Sequence, residues 1–278
     1  MLKQRVVTAL VMAGLFIAGI VFLPEQALAA VFALLILAGG WEWSRMAGWD
    51  SVLSRGVFVA VLAAILLALY SHAQLGNAPT RERVQPVLGL ACLWWSFALL
   101  WVKSYPASAV MWSNRFMRSL IGLLILAPAW MAAVYLLSFP RGGVLVVTMV
   151  IVVAAADIGA YFAGKSLGKH KMAPAVSPAK TWEGFWGGVL AVVLVGLLLW
   201  YMLPAHNAHI GLMSVLAIVL ATSLASVVGD LSVSMVKRDS GTKDSGSLLP
   251  GHGGVLDRLD SLCGAAPVFA LGLLLAGW

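Results

Sequence analysis

Residues 184–203 read GFWGGVLAVVLVGLLLWYML, a stretch of twenty residues without a single charged side chain. A helix of this length crosses the apolar core of a bilayer, which is roughly 30 Å thick. The apolar residues follow one another without alternating with polar ones, which indicates a helix and not a strand of a membrane barrel. This segment therefore predicts a helical membrane protein.

Comparable apolar stretches recur along the whole chain of 278 residues, of which 62% are hydrophobic and only 10% are charged. The mean hydropathy of +0.96 is far above that of soluble domains. Nine candidate spans lie at residues 6–23, 27–43, 56–71, 86–102, 119–137, 143–164, 184–203, 209–229 and 262–278. The sequence thus predicts an all-α polytopic membrane protein with about nine transmembrane helices.

The basic residues predict the orientation of these helices. The basic start and the first span resemble a secretory signal, but a second apolar stretch follows at once, so we interpret the span as a retained helix. With a cytoplasmic N-terminus, 15 of the 18 Lys and Arg residues fall in cytoplasmic loops, and only Arg81, Arg83 and Arg141 lie outside. This bias follows the positive-inside rule, so the net charge of +7 indicates topology and not a nucleic-acid partner.

The two halves of the chain differ in polarity. Residues 1–140 are spans with plain connections, which predicts a membrane anchor. Residues 141–278 carry the unusual polar residues, which predicts a catalytic region with cytoplasmic loops at 165–183 and 230–261. The acidic and basic residues of Trp41–Arg45 are interpreted as part of an interfacial aromatic belt, with support of the active site as the alternative.

The first polar region combines an acid inside a span with a basic loop. Asp157 is costly at membrane depth, so we expect it either to serve function or to pair with a buried cation. Lys171, Ser177 and Lys180 follow it, and Ser177 or Thr181 is predicted to cap the next helix. A helix start beside lysines can bind phosphate.

In the second polar region, Asp230, Ser234, Lys237 and Arg238 share one face if the eighth helix continues beyond Gly229. An acid and two cations on one face exceed what the end of a span requires. This pattern indicates a site for charged substrates.

Further along the chain, Asp257 and Asp260 are spaced i, i+3, so on a helix their carboxylates project together. Paired carboxylates near phosphate commonly hold Mg²⁺. Arg258 is expected either to lock this pair or to meet a phosphate.

A glycine-rich segment precedes these two acids. It includes Gly253 and Gly254, whose backbone N–H groups can approach a phosphate closely. Lys243 and Asp244 add one charge of each sign, and His252 is interpreted either as a residue that contacts phosphate or as a structural one. Together the acids, cations and glycines indicate phosphoryl or nucleotidyl transfer, without a Walker A sequence.

Residues 234–260 read SMVKRDSGTKDSGSLLPGHGGVLDRLD, which resembles the signature of the phosphatidate cytidylyltransferases throughout. Residues 157–184 also resemble this family, although Ile158 replaces a usual hydroxyl residue and Ala179 replaces the first lysine of a pair. The resemblance implies a bacterial inner-membrane enzyme that faces the cytoplasm. It would join CTP and phosphatidic acid into CDP-diacylglycerol and pyrophosphate.

The resemblance also implies Mg²⁺ and leaves open a second metal or a monovalent cation. It implies a homodimer among membrane lipids, with residues 1–140 as the dimer scaffold. The predicted metal ligands are Asp230, Asp257 and Asp260. The predicted catalytic residues are these three with Lys237, Arg238, Lys243, Asp244, His252 and Arg258. The predicted substrate-binding residues are Asp157, Lys171, Ser177, Lys180, Ser234, Gly253 and Gly254.

Two alternatives remain at this point. One is another CTP-dependent membrane lipid kinase or transferase. The other is an ion-coupled transporter in which Asp157 and Asp230 couple ion and solute movement. Transporters place such acids near the bilayer midplane, whereas here the predicted acids gather at one membrane face.

Overall fold

The computed structural model describes residues 2–76, 79–202, 210–248 and 253–278. The helices in these ranges are α1 (Leu2–Phe22), α2 (Glu25–Met46), α3 (Val52–Ala73), α4 (Arg81–Ser104), α5 (Ala109–Trp112), α6 (Arg115–Leu137), α7 (Gly142–Leu167), α8 (Trp182–Tyr201), α9 (Leu212–Asp239) and α10 (Leu256–Leu275). The two strands are β1 (Lys171–Ala173) and β2 (Ser177–Thr181), which pair antiparallel. This composition confirms the all-α polytopic class.

Eight helices in the described part of the chain are long and apolar enough to cross a membrane, namely α2, α3, α4 and α6 to α10. They correspond to the second to ninth predicted spans. The first predicted span lies in α1, a helix of 21 residues whose described apolar stretch is Leu10–Phe22. The candidate spans among the described residues thus match eight of the nine predicted spans.

The helix α6 lies at the centre of the bundle. In an apolar 18-residue stretch of α6, 72% is buried, whereas the corresponding stretches of α3 and α8 are only 17% and 22% buried. Trp43 of α2 is fully buried beside Gly122 of α6 and donates its Nε1–H to the carbonyl oxygen of Arg118 over 2.8 Å. One large apolar core joins residues of α2, α3, α4, α6, α7, α9 and α10.

Small residues let α7 and α8 pack backbone against backbone. A Cβ atom at Gly159 would lie 2.6 Å from the carbonyl oxygen of Gly187, and one at Gly188 would lie 2.7 Å from that of Ala156. Glycine permits this spacing, as it does between other membrane helices. The hairpin of β1 and β2 joins these two helices at one end of the bundle.

The helix ends differ from the predicted loop boundaries in an informative way. The helix α9 continues through Asp239, and α10 begins at Leu256. The predicted loop 230–261 is therefore helical at both ends, and only residues 240–255 connect the two helices. Most of the predicted acids and cations consequently lie on rigid helices.

Candidate active site

The candidate active site lies where α9 and α10 meet at two glycines. A Cβ atom at Gly229 would lie 2.6 Å from the carbonyl oxygen of Asp260, and one at Gly264 would overlap the carbonyl oxygen of Ala225. Glycine allows two backbones to approach this closely. The contact holds the last turns of α9 against the first turns of α10.

Lys237 lies between the two carboxylates of α10. Its Nζ is 2.9 Å from Oδ1 of Asp257 and 3.6 Å from Oδ2 of Asp260, and the lysine side chain is 7% exposed. A charge removed from water this far requires opposite charges beside it. The three side chains therefore form one buried ionic group that spans both helices.

Lys180 of β2 reaches a third carboxylate on α9. Its Nζ is 2.7 Å from Oδ2 of Asp230, and Ser234 donates its hydroxyl to Oδ1 of the same carboxylate over 3.1 Å. Asp157 of α7 carries an exposed side chain and interacts electrostatically with both Lys180 and Asp230. The two polar regions of the sequence thus come together around Asp230.

The hairpin that carries Lys180 is fixed by residues at its base. The Thr181 hydroxyl accepts the N–H of Gly184 and caps α8, one of the two predicted caps; the other, Ser177, begins β2. Glu183 accepts the backbone N–H of Lys169 over 3.0 Å and lies 2.6 Å from Nδ1 of His170. Glu183 therefore closes the hairpin besides lying in the first turn of α8.

Asp257 also fastens the segment between α9 and α10. The N–H of Ser245 donates to both of its carboxylate oxygens, over 3.2 and 3.0 Å, and the N–H of Gly254 donates to Oδ2 over 2.9 Å. Gly253 has a φ of +79°, a left-handed conformation that favours glycine. The N–H groups of Ser245 and Gly254 therefore bind a carboxylate of the protein itself.

Two residues of α2 contribute to this region in a way that the sequence did not make evident. Glu42 is 3% exposed and accepts hydrogen bonds from Ser245, Val255 and Leu256. Arg45 donates from Nη2 to the carbonyl oxygen of Ser245 over 2.9 Å. The alternative interpretation of the Trp41–Arg45 stretch, support of the site, agrees with these contacts. The sequence feature that could have indicated this role is the acid Glu42 inside an apolar span.

The end of α9 is anchored on both sides. Asp239 forms an ion pair with Arg118 of α6 and accepts the hydroxyl of Ser113 over 2.9 Å. Arg238 donates from Nε to the carbonyl oxygen of Val176 over 3.1 Å, so its guanidinium connects α9 to the hairpin. These contacts hold the position from which Lys237 extends.

The remaining predicted residues lie outside the ionic cluster. Gly254 is buried and Gly253 partly buried, beside Asp257. Four of these residues are exposed, namely Lys171, Lys243, Asp244 and Arg258. The prediction for His252 falls outside the described residues.

The predicted Mg²⁺ ligands can be compared with the donors that the site offers. In the described ranges no three His, Cys, Asp or Glu side chains gather closely enough to hold a metal ion. The ligand role of Asp230, Asp257 and Asp260 stays a prediction, and Asp257 accepts three N–H donors in this structure. The carboxylates of Asp230 and Asp260 repel each other. Mg²⁺ often takes one or two carboxylates plus substrate phosphates, and this pair fits that arrangement.

Comparison with known proteins identifies the family of the chain. Residues 3–276 match the family model described as "Cytidylyltransferase family". The chain belongs to this family. Membership confirms the resemblance that residues 234–260 and 157–184 indicate, and the match covers the N-terminal helices as well as the polar cluster.

Individual cytidylyltransferase relatives match over the full length. The chain is 46% identical over 279 residues to the phosphatidate cytidylyltransferase of Pseudomonas aeruginosa, covering 100% of this chain and 99% of the relative. It is 39% identical over 287 residues to that of Haemophilus influenzae, covering 97% and 98% of the two chains. A phosphatidate cytidylyltransferase of Brucella suis is 48% identical over 132 residues, which cover 48% of this chain and 47% of the relative.

Proposed function

We propose that this chain is a membrane enzyme that transfers the cytidylyl group of CTP to phosphatidic acid, giving CDP-diacylglycerol and pyrophosphate. Family membership and the two full-length relatives support this activity. The observation in the structure that carries the proposal is the ionic cluster of Lys180, Asp230, Lys237, Asp257 and Asp260. The cluster combines cations for phosphates with carboxylates for a metal.

The reaction brings together two polyanions that repel each other. An oxygen of the phosphatidic acid phosphate forms a bond to the α-phosphorus of CTP, and the bond from that phosphorus to the β-phosphate oxygen breaks. Pyrophosphate carries away the electron pair. The lipid phosphate is already ionised near neutral pH, so a general base is not required, and we assign His252 a positioning role.

The cations of this chain offset the repulsion before the reacting atoms meet. Lys237 is held in place by two carboxylates, and Lys180 by Asp230, so both ammonium groups are preorganised. Lys171, Lys243 and Arg258 lie near residues of this cluster in the sequence. Their exposed side chains add positive charge for the outer phosphates of CTP. Ser177 and Ser234 supply hydroxyl groups to the same region.

We propose that Asp230 and Asp260 hold Mg²⁺ together with substrate phosphates. When bound, this ion would withdraw charge from the phosphate oxygens and favour departure of pyrophosphate. Asp257 has a different role in this scheme, because its three donors make it the residue that orders Lys237 and the backbone at Ser245 and Gly254.

We also propose that the site faces the cytoplasm of a bacterium from its inner membrane. The ends of α7 and α9 and the starts of α8 and α10 lie on the side of the bundle that carries the cluster. The Lys and Arg distribution favours the cytoplasm for that side, and CTP is available there. A homodimer and the division into anchor and catalytic halves remain predictions.

A product assay with the purified protein tests the activity. CTP labelled in its cytosine ring, phosphatidic acid in detergent micelles and Mg²⁺ are expected to give a labelled, chloroform-soluble lipid. Reactions without phosphatidic acid, or with diacylglycerol in its place, serve as controls and are expected to give none. Label that stays in the aqueous phase of the complete reaction would overturn the proposal.

A further inference from the structure

Glu42 is a buried acid on a helix of the anchor half, far in sequence from the ionic cluster. Its Oε1 accepts the N–H of Val255 over 3.0 Å, and its Oε2 accepts the N–H of Leu256 over 2.9 Å and the hydroxyl of Ser245 over 2.8 Å. With 3% of its surface exposed, the carboxylate is compensated by these donors and not by water.

These bonds supply the cap that α10 lacks in its own sequence. The residue at the start of the helix, Val255, offers no side-chain cap, and the first N–H groups of a helix have no partner inside it. A carboxylate at this position satisfies two of them and interacts favourably with the helix dipole. Glu42 therefore fixes where α10 begins, one residue before Asp257.

Ser245 connects Glu42 to Asp257. The serine is fully buried, and each of its polar groups has a partner. Its hydroxyl donates to Glu42, its N–H donates to Asp257, and its carbonyl oxygen accepts from Arg45. Two residues on one face of α2 thus hold the backbone that orients the carboxylate beside Lys237.

The local glycines match this arrangement. A Cβ atom at Gly246 or at Gly254 would overlap the Glu42 carboxylate. Glycine at both positions leaves the space that the carboxylate occupies, so the segment and the acid fit each other. An acid exposed in an interfacial aromatic belt would not need glycines opposite its carboxylate.

We propose that Glu42 is a positioning residue for cytidylyl transfer, which acts through Ser245 on Asp257 and Lys237. This inference rests on the proposed function. Glu42 is buried and its carboxylate is occupied by three donors of the protein, so its contribution is the geometry of the ionic group. Small displacements of such groups lower turnover more than they lower substrate binding.

The test compares Glu42→Gln, Ser245→Ala and the double variant in the full-length protein. A glutamine retains the shape but turns an NH₂ group toward N–H and O–H donors. We expect kcat to fall by about 10- to 100-fold in Glu42→Gln, with a largely unchanged KM for CTP. The double variant is expected to fall no further than Glu42→Gln, because both changes break one connection. Glu25→Gln, at the exposed start of the same helix, is the matched control and is expected to retain activity.

Hydrogen exchange of the Val255 and Leu256 amides reads the same contacts without activity. We expect faster exchange in Glu42→Gln than in Glu25→Gln. Wild-type turnover in Glu42→Gln, or losses in the double variant that multiply, would overturn the positioning role. Wild-type protein without any cytidylyl transfer, but with faster exchange in Glu42→Gln, would overturn the proposed function and leave the structural connection standing.

Discussion

Asp257→Asn is expected to lower kcat for cytidylyl transfer by about 10²- to 10³-fold, a loss typical of removing a preorganised electrostatic group. Asparagine keeps the shape of the side chain but has one acceptor oxygen in place of two. The carboxylate now accepts Lys237 Nζ on Oδ1, Ser245 N–H on both oxygens and Gly254 N–H on Oδ2. The variant cannot satisfy all three donors, and Lys237 loses its closer anion.

The measurement is steady-state turnover at saturating CTP and phosphatidic acid in Mg²⁺. Asp50→Asn is the matched control, since Asp50 is exposed in the connection between α2 and α3. Its activity should equal that of the wild type. Near-native turnover of Asp257→Asn would show that the Lys237 group does not contribute to the reaction.

Lys237→Met is expected to cost both activity and stability. Methionine has a similar length without the charge, so Asp257 and Asp260 would face each other with no cation between them. Removing one partner from a buried ionic group typically costs about 3–5 kcal/mol. Thermal unfolding of the detergent-solubilised protein should show a lower Tm, and turnover should fall below that of Asp257→Asn.

A double variant separates the two effects. Lys237→Met combined with Asp257→Asn removes one cation and one anion, so the uncompensated charge is smaller than in Lys237→Met alone. We expect the double variant to regain much of the lost Tm while it remains inactive. If the Lys237→Met variant were as stable as the wild type, that result would contradict the buried ionic group. Recovered activity in the double variant would contradict a role for Lys237 in neutralising phosphates.

The sequence predicts much of this architecture because membrane helices leave a strong local signal. Long apolar stretches such as residues 184–203 located eight of the spans, although α9 continues ten residues beyond the predicted end at residue 229. The spacing of Asp230, Ser234, Lys237 and Arg238 predicted a helical face, and α9 does continue through Asp239. The i, i+3 spacing of Asp257 and Asp260 likewise corresponds to the first turns of α10.

Other features depend on contacts between distant segments, which spacing does not encode. Glu42 lies about two hundred residues from Ser245, and its neighbours resemble an ordinary interfacial belt. The lysine between Asp257 and Asp260 also could not be predicted, because it requires the glycine contact of α9 with α10. Two acids spaced i, i+3 look the same in the sequence whether both hold a metal ion or one of them binds a lysine and two backbone N–H groups. The spacing alone therefore could not reveal the contacts of Asp257.

The phosphorus atom that enters the lipid product distinguishes cytidylyl transfer from lipid phosphorylation. In cytidylyl transfer the α-phosphorus of CTP joins the lipid, whereas a CTP-dependent lipid kinase transfers the γ-phosphorus. Purified protein with phosphatidic acid and Mg²⁺ should convert α-³²P-labelled CTP into a labelled lipid, and γ-³²P-labelled CTP should yield label only in pyrophosphate. Lipid labelled from the γ position, or from neither position, would contradict cytidylyl transfer by this protein.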